Sequence, residues 1–184
     1  PDLVWTKRRD GTSSHGWFDI VRGATKWIGS NSAGAEGTYS DSLTSFDAEG
    51  FTLGADTVWN GINQSGYTYV AWCWDGGSST VSNTDGSITS SVIANQDAGF
   101  SIVTYTGSAN GTVGHGLGAA PEFIIAKSRT VTKNWTCYHK DLGKDKYVLL
   151  NTTDGVQTSS GVWGSAEPTS SVFGLENSSS GGNT

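Results

Sequence analysis

Pro1-Asp2-Leu3-Val4-Trp5-Thr6-Lys7-Arg8-Arg9 and Pro121-Glu122-Phe123-Ile124-Ile125-Ala126-Lys127-Ser128-Arg129 are two versions of one segment, 120 positions apart. Each opens on proline and an acid, runs through three bulky apolar residues, and closes on Lys-x-Arg. The same offset pairs Phe18 with Tyr138, Gly23 with Gly143, Lys26 with Lys146, Trp27 with Tyr147 and Asn31 with Asn151. With a two-residue shift, Phe51-Thr52-Leu53 meets Phe173-Gly174-Leu175. Self-similarity at a fixed period means that one building unit is used more than once. The 184 residues hold about one and a half such periods.

Outward from this pair, the chain reads as short strands between polar turns. Residues 2–7, 17–21 and 25–28 are strand-like, then a polar loop with three glycines fills 29–42. Ser45-Phe46 and Gly50–Gly54 flank the acidic turn Asp47-Ala48-Glu49, and Asn60-Gly61 is a further turn signal. Tyr67-Thr68-Tyr69-Val70-Ala71-Trp72-Cys73-Trp74 has the strongest strand character of all, β-branched or aromatic almost throughout. Phe100–Tyr105 is another strand, and Asn110-Gly111 predicts a hairpin turn into Thr112-Val113. Strands near 122–127, 135–140 and 146–150 repeat the first unit. No stretch of ten residues carries a 3.6 period, and turn signals recur every 8–12 residues. The expectation is an all-β chain: a β-sandwich of jelly-roll or concanavalin-like type, internally duplicated with a period of about 120 residues. The division is 1–76 for a first, N-terminally incomplete unit, 77–98 for a linker or edge hairpin, and 99–184 for a second, C-terminally incomplete unit.

Composition bounds the function. A chain of this length can bury about 70% of its unfolded surface, so a core without staples is feasible. The net charge of −6 argues against a nucleic-acid partner and against docking on an anionic membrane. No apolar run is long enough for a membrane span, and no basic n-region opens a signal peptide. The start on Pro1 points to a fragment or processed chain. Two cysteines, Cys73 and Cys137, are too few for a disulfide framework; both lie beside aromatics and read as free buried thiols, with a single bridge as the alternative.

The segments "PDLVWTKRR", "DIVRGATKW", "SLTSFDAEGFTLG", "YTYVAWCW", "AGFSIVTYTG", "TVGHGLGAAPEFIIAKSR" and "PTSSVF" together cover most of the chain. In this order they resemble the repeated β-sandwich units of virion proteins from tailed bacteriophages of marine bacteria and cyanobacteria. Those units are similar in turn to concanavalin-like lectin and SPRY-type sandwiches. The resemblance implies a non-enzymatic structural virion protein, a tail-fibre or adhesion module that contacts the host surface. A capsid decoration or head-fibre protein is the alternative, and a carbohydrate-binding lectin domain is the second. It implies a location in the virion, other virion proteins as partners and a host glycan as a ligand. It supplies no catalytic residues and no cofactor.

Side chains that carry chemistry read blandly. Asp41, Asp47 and Glu49 surround one turn and are the weak candidates for a lectin-like calcium site; a solvated turn needs no metal. Asp19 with Asp47 is the kind of carboxylate pair a glycosidase uses, but acids in turns are common. His15, His115 and His139 lack metal-ligand spacing. Gly114-His115-Gly116-Leu117-Gly118 does not open a helix after a strand, so it reads as a bend that lets strands approach closely. Lys7 and Arg9, like Lys127 and Arg129, lie at i and i+2 on one strand face, either solvated or paired with acids of a neighbouring unit. Most of the eight tryptophans belong to the core, with one or two left to stack on sugars. Five Asn-x-Ser/Thr sites begin at Asn63, Asn110, Asn134, Asn151 and Asn177 and matter only in a eukaryotic secretory setting.

The ends of the repeat are ragged. Nothing before Pro1 corresponds to Phe100–Gly118, and nothing after Thr184 corresponds to Tyr67–Trp74. Three remedies would cover the edges left open in this way: residues 87–118 serve both copies, the true chain is longer, or another chain adds the strand; the favoured expectation is contacts between copies, a homo-oligomer with a trimer as the analogy. Leu3, Trp5, Phe123 and Ile125 are expected in equivalent core positions.

Overall fold

The computed structural model describes residues 1–59 and 61–176 and is all-β, with several antiparallel sheets and no helix among those residues. In chain order the strands are β1 (Leu3–Arg8), β2 (Gly16–Asp19), β3 (Lys26–Gly29), β4 (Gly37–Thr38), β5 (Leu43–Asp47), β6 (Gly50–Leu53), β7 (Tyr69–Trp74) and β8 (Val81–Asn83). They continue as β9 (Ser90–Asn95), β10 (Phe100–Tyr105), β11 (Asn110–Gly114), β12 (Phe123–Ala126), β13 (Thr136–His139), β14 (Lys146–Leu149), β15 (Gln157–Thr158) and β16 (Val172–Glu176). Asn60 of the Asn60-Gly61 turn signal and the 177–184 tail, with Asn177, lie outside the described residues.

The first sheet runs β4-β3-β2-β1-β7. Period-2 alternation sets its faces. Val4 and Phe18 point one way and, with Leu43 and Ile62, form a core on which Trp27, Trp59 and the β5–β6 hairpin pack. The other face carries Leu3, Trp5, Trp17 and Ile28, as the register pairs Trp5 with Trp17 and Trp17 with Ile28. A second sheet runs β12-β13-β14-β15. Ala126, Tyr138 and Tyr147 line its core, with Phe173 and Leu175 of β16, Val113 of β11 and Trp163 opposite them. A three-stranded sheet, β10-β9-β8, accounts for much of the span 77–98.

The pairing register recurs at the sequence offset. Val4 faces Phe18, and Ile124 faces Tyr138; Trp17 faces Ile28, and Cys137 faces Val148; Trp27 faces Gly37, and Tyr147 faces Gln157. Burial does not recur with it. Leu3 is 2% exposed, whereas Phe123 is 52% exposed. The expectation that Leu3, Trp5, Phe123 and Ile125 share equivalent core positions is therefore corrected: the common core positions are Val4 and Ile124, Phe18 and Tyr138. The reason is a difference in neighbours: β7 lies beside β1, and among the described residues no strand lies beside β12 at that edge.

Two further expectations change. Asn110-Gly111 is not a hairpin turn; it opens β11, which pairs with β16 from Asn110↔Glu176 to Gly114↔Val172. A local turn signal yields here to a long-range partner that buries Val113. The 29–42 loop contains β4, held by only a few ladder partners, whereas β8 pairs with β9 at the edge of its sheet, as the hairpin reading of 77–98 has it.

Candidate functional site

The face of the first sheet opposite its core carries a row of tryptophans. β1, β2 and β7 bring Trp17, Trp5 and Trp72 into lateral register, because each is the directly opposed residue of its neighbour. Ring centroids lie 5.4 Å apart for Trp17–Trp5 and 5.4 Å for Trp5–Trp72. Trp135, from the connection between β12 and β13, extends the row from the other end at 5.3 Å. Tilted contacts at this spacing suit the ring quadrupoles. The indole N–H of Trp5 donates to Ser30 Oγ (2.9 Å), and that of Trp135 donates to the carbonyls of Gly29 (2.9 Å) and Ser32 (3.1 Å). At its free end the row opens to solvent through Trp72, 46% exposed. On the same strand Trp74 stacks on Phe100 at 6.3 Å.

A cation–aromatic cluster stands beyond the start of β7. The Arg8 guanidinium sits 3.3 Å over the exposed ring of Tyr67 and donates to Asp10 Oδ1 (2.8 Å). Asp10 in turn accepts the Thr68 N–H (3.1 Å). The hydrogen bond to Arg8 holds the Asp10 carboxyl below its ordinary value. Tyr67, Trp72 and Trp74 are the exposed aromatics of this segment, and the two tryptophans agree with the expectation of one or two exposed ones. Cys73 is exposed with them, which corrects its reading as a buried thiol. Cys137 is buried and free, and burial pushes its thiol up to about 11.

Charges anchor the row, and of the two readings of the Lys127 and Arg129 pair the contact with an acid of the other unit holds for Arg129. Arg22, in the β2–β3 turn, donates to Asp19 through Nε and through its own backbone N–H (2.9 Å), to Glu36 (3.3 Å) and to the Trp17 carbonyl (2.9 Å). Arg129 grips both Glu36 oxygens, at 3.0 and 3.1 Å. The four charges cancel. Burial disfavours the charged Glu36, but Arg129 and then Arg22 outweigh it and hold that carboxyl below its ordinary value. Lys127 Nζ reaches the Ala33 and Ser128 carbonyls, and burial draws its ammonium down to about 8. Lys127 and Arg129 thus clasp the 29–36 loop. Their counterpart Lys7 binds the Arg8 and Gly11 carbonyls of its own segment.

The remaining candidates fall apart in space. Asp41 accepts the Thr57 hydroxyl and N–H, Asp47 accepts the Thr52 hydroxyl (2.7 Å), and Glu49 is exposed. No group of three or more His, Cys, Asp or Glu side chains among the described residues is placed to hold a metal, so these three are not gathered into a calcium site. Asp19 is buried against Arg22, away from the exposed Asp47 turn. His115 is buried; its Nδ1 accepts the Leu117 N–H (3.2 Å) and its Nε2 meets the Thr169 carbonyl (3.1 Å). His139 lies against Phe123, and the backbone N–H of His15 donates to Asn31. The glycine run is a bend: Gly116 and Gly118 both have φ +73°, and a Cβ on Gly114 would meet Asn83 Oδ1 at 1.7 Å. A shallow cleft of about 220 Å³ lies beside β11 and β16. Its Glu167 is engaged by the Tyr138 hydroxyl (2.8 Å) and the Lys144 N–H (2.9 Å).

Asp56 escaped the sequence reading. It is fully buried at φ +50°, and it accepts the Ser42 hydroxyl (2.7 Å) and the N–H groups of Ile62 (2.7 Å) and Asn63 (3.1 Å). Trp135, Arg22 and Glu36 escaped it too, yet all three depart from the pattern shared by the two segments. Their counterparts are His15, Leu142 and Val156. That asymmetry is the signal for these three, whereas Lys127 and Arg129 make the same contact while matching Lys7 and Arg9.

No curated protein and no solved structure matches the chain. A family model does, over residues 1–184, and the chain belongs to that family, the domain of unknown function DUF7483.

Proposed function

We propose that this chain is a non-enzymatic structural protein of a tailed-phage virion, a tail-fibre or adhesion module of two tandem concanavalin-like β-sandwich units that meets the host surface. The observation that carries this reading is the recurrence of one strand register at an offset of 120 residues, from Val4↔Phe18 to Ile124↔Tyr138. Duplicated sandwiches clasped by a buried ion network make a stiff spacer, which is what an appendage needs. Copies of the same chain and other virion proteins are its partners. Immuno-gold electron microscopy of particles tests this: label confined to the tail is expected. Even label over the capsid would instead make it a decoration or head-fibre protein.

The exposed aromatic edge favours a second reading, a carbohydrate-binding module. Tyr67 offers a flat face beside the Arg8–Asp10 pair and Trp72 an exposed ring on β7, the mixture of stacking surface and charged hydrogen-bonding groups that suits a sugar ring. A glycan array separates the two: binding lost on Trp72→Ala supports the lectin, and no binding on any glycan removes it. Polysaccharide cleavage abolished by a carboxylate substitution would overturn the non-enzymatic assignment.

A further inference from the structure

Among the sheet margins of the described residues, the outer edges of β7 and β12 stand without a ladder partner, and the chain itself shows what one of them accepts. The backbone phase of β1 follows from two bonds: Ile20 N–H donates to Asp2 O (2.9 Å), and Arg9 N–H donates to Thr68 O (2.8 Å). With antiparallel alternation, Leu3, Trp5 and Lys7 turn their N–H and C=O groups toward β7. In the second sheet Lys140 N–H donates to Glu122 O (2.9 Å), which sets the same phase. Phe123, Ile125 and Lys127, the counterparts of Leu3, Trp5 and Lys7, therefore point theirs away from β13, at the edge where the sheet ends. β12 offers at that edge what β1 offers to β7.

The other open edge is β7 itself. Thr68, Val70, Trp72 and Trp74 face β1 through their backbones, so Tyr69, Ala71 and Cys73 turn theirs outward, at the margin of the five-stranded sheet. Soluble proteins guard such margins with lysine, proline, bulges or very short strands. Neither strand carries a bulge, and Lys127, the one lysine in the β12 row, turns its ammonium to the Ala33 and Ser128 carbonyls. Tyr69–Trp74 and Phe123–Ala126 contain no charged residue and no proline, and the β1–β7 register runs through all six residues without a bulge. Exposed apolar side chains flank both, Trp72 and Trp74 on one and Phe123 on the other.

We propose that the outer edge of β7 in one copy of this chain pairs with the outer edge of β12 in a second copy, fusing the five-stranded sheet of one to the four-stranded sheet of the next. The occupant is a second copy because the chain carries both an edge whose counterpart takes β7 and a β7 with one edge unused. The surfaces differ, so the contact is heterologous: each copy keeps one open edge at either end, and the assembly grows as a ring or a filament. The inference rests on the reading that the chain assembles with copies of itself.

The test is solution mass by light scattering on the full chain, over about a hundredfold range of concentration. The wild type is expected to exceed its 19.3 kDa monomer mass and to grow with concentration. Cys73→Lys blocks one edge and Phe123→Lys the other; both side chains are exposed, and an unchanged Tm checks that each variant folds. Each variant alone is expected to stay monomeric. Mixed together they should give a one-to-one dimer and nothing larger, because only one good β7 edge and one good β12 edge remain per pair. A wild-type monomer at every concentration would overturn both self-assembly and this contact. An oligomer indifferent to both lysines, or variants that fail to complement, would overturn this contact alone.

Discussion

Arg22→Met is the sharpest perturbation of the clasp between the two halves. The Arg22 and Asp19 side chains are 5% and 4% exposed, and Glu36 is 12% exposed. Methionine keeps the aliphatic bulk but withdraws the guanidinium from Asp19, Glu36 and the Trp17 carbonyl. Asp19 then keeps only the Arg22 backbone N–H, and Glu36 keeps only Arg129. Stranding a buried carboxylate costs about 3–5 kcal/mol. Total stability of a domain is about 5–15 kcal/mol. For a chain of this size each kcal/mol lowers Tm by about 2–4 °C, so a fall of about 6–20 °C is expected. Arg129→Met serves as the control. Its side chain is 40% exposed, and Glu36 retains Arg22, so the loss should stay near 1 kcal/mol. Urea unfolding followed by tryptophan fluorescence reads all of these, since Trp17 and Trp135 lie in the contact. Asp19→Asn combined with Arg22→Met should recover much of the single-variant loss, because the stranded charge is gone. A loss below about 1 kcal/mol for Arg22→Met, or no recovery in the double variant, would refute the reasoning.

Cys73 should react with a thiol reagent in the native protein, and Cys137 only on unfolding, which counting labelled thiols by intact mass would check. Stability should fall on acidification in two stages. His115 is held neutral by burial, so its contribution is present above its ordinary value of 6.5 and drains away as pH falls through that value toward its depressed folded one. Glu36, lowered from 4.5, contributes above that value and is lost below it as pH falls through its folded one; His115→Gln should shrink the upper stage, which it shares with His15, likewise depressed by burial, and leave the lower one in place in a urea series. Asp56→Ala should cost about 3–5 kcal/mol, since three buried donors lose their acceptor, and a smaller loss than Thr52→Ala would refute its role as the anchor of the 54–63 loop.

The strand positions were legible because alternation and turn chemistry are local. The 1–9 and 121–129 segments, the 69–74 strand and the 100–105 strand all lie where their residues place them. So was the all-β class. Local signals misled where a distant partner competed, as at Asn110-Gly111, which a hairpin would have used and which β16 claims instead. Of the candidate site, the composition of the aromatic edge was readable, but which of its side chains are exposed was not. Cys73, within Tyr67–Trp74, reads as a buried thiol because hydrophobicity and β-propensity say nothing about which element comes to lie beside a strand.

By itself the sequence determined the all-β class and the succession of short strands between turns, but not which face of each strand meets the core: alternation read alone assigns Leu3 and Trp5 to it, and Val4 and Phe18 take it. Only the tertiary structure decided which edges are covered. Leu3 and Phe123 occupy the same register position, yet one is buried and the other open, because coverage depends on a neighbour far away in the chain. It also decided that Asp19, Arg22, Glu36 and Arg129 form one neutral cluster: ionic contacts at 3 Å follow from how the two halves meet, and no spacing along the chain encodes that meeting.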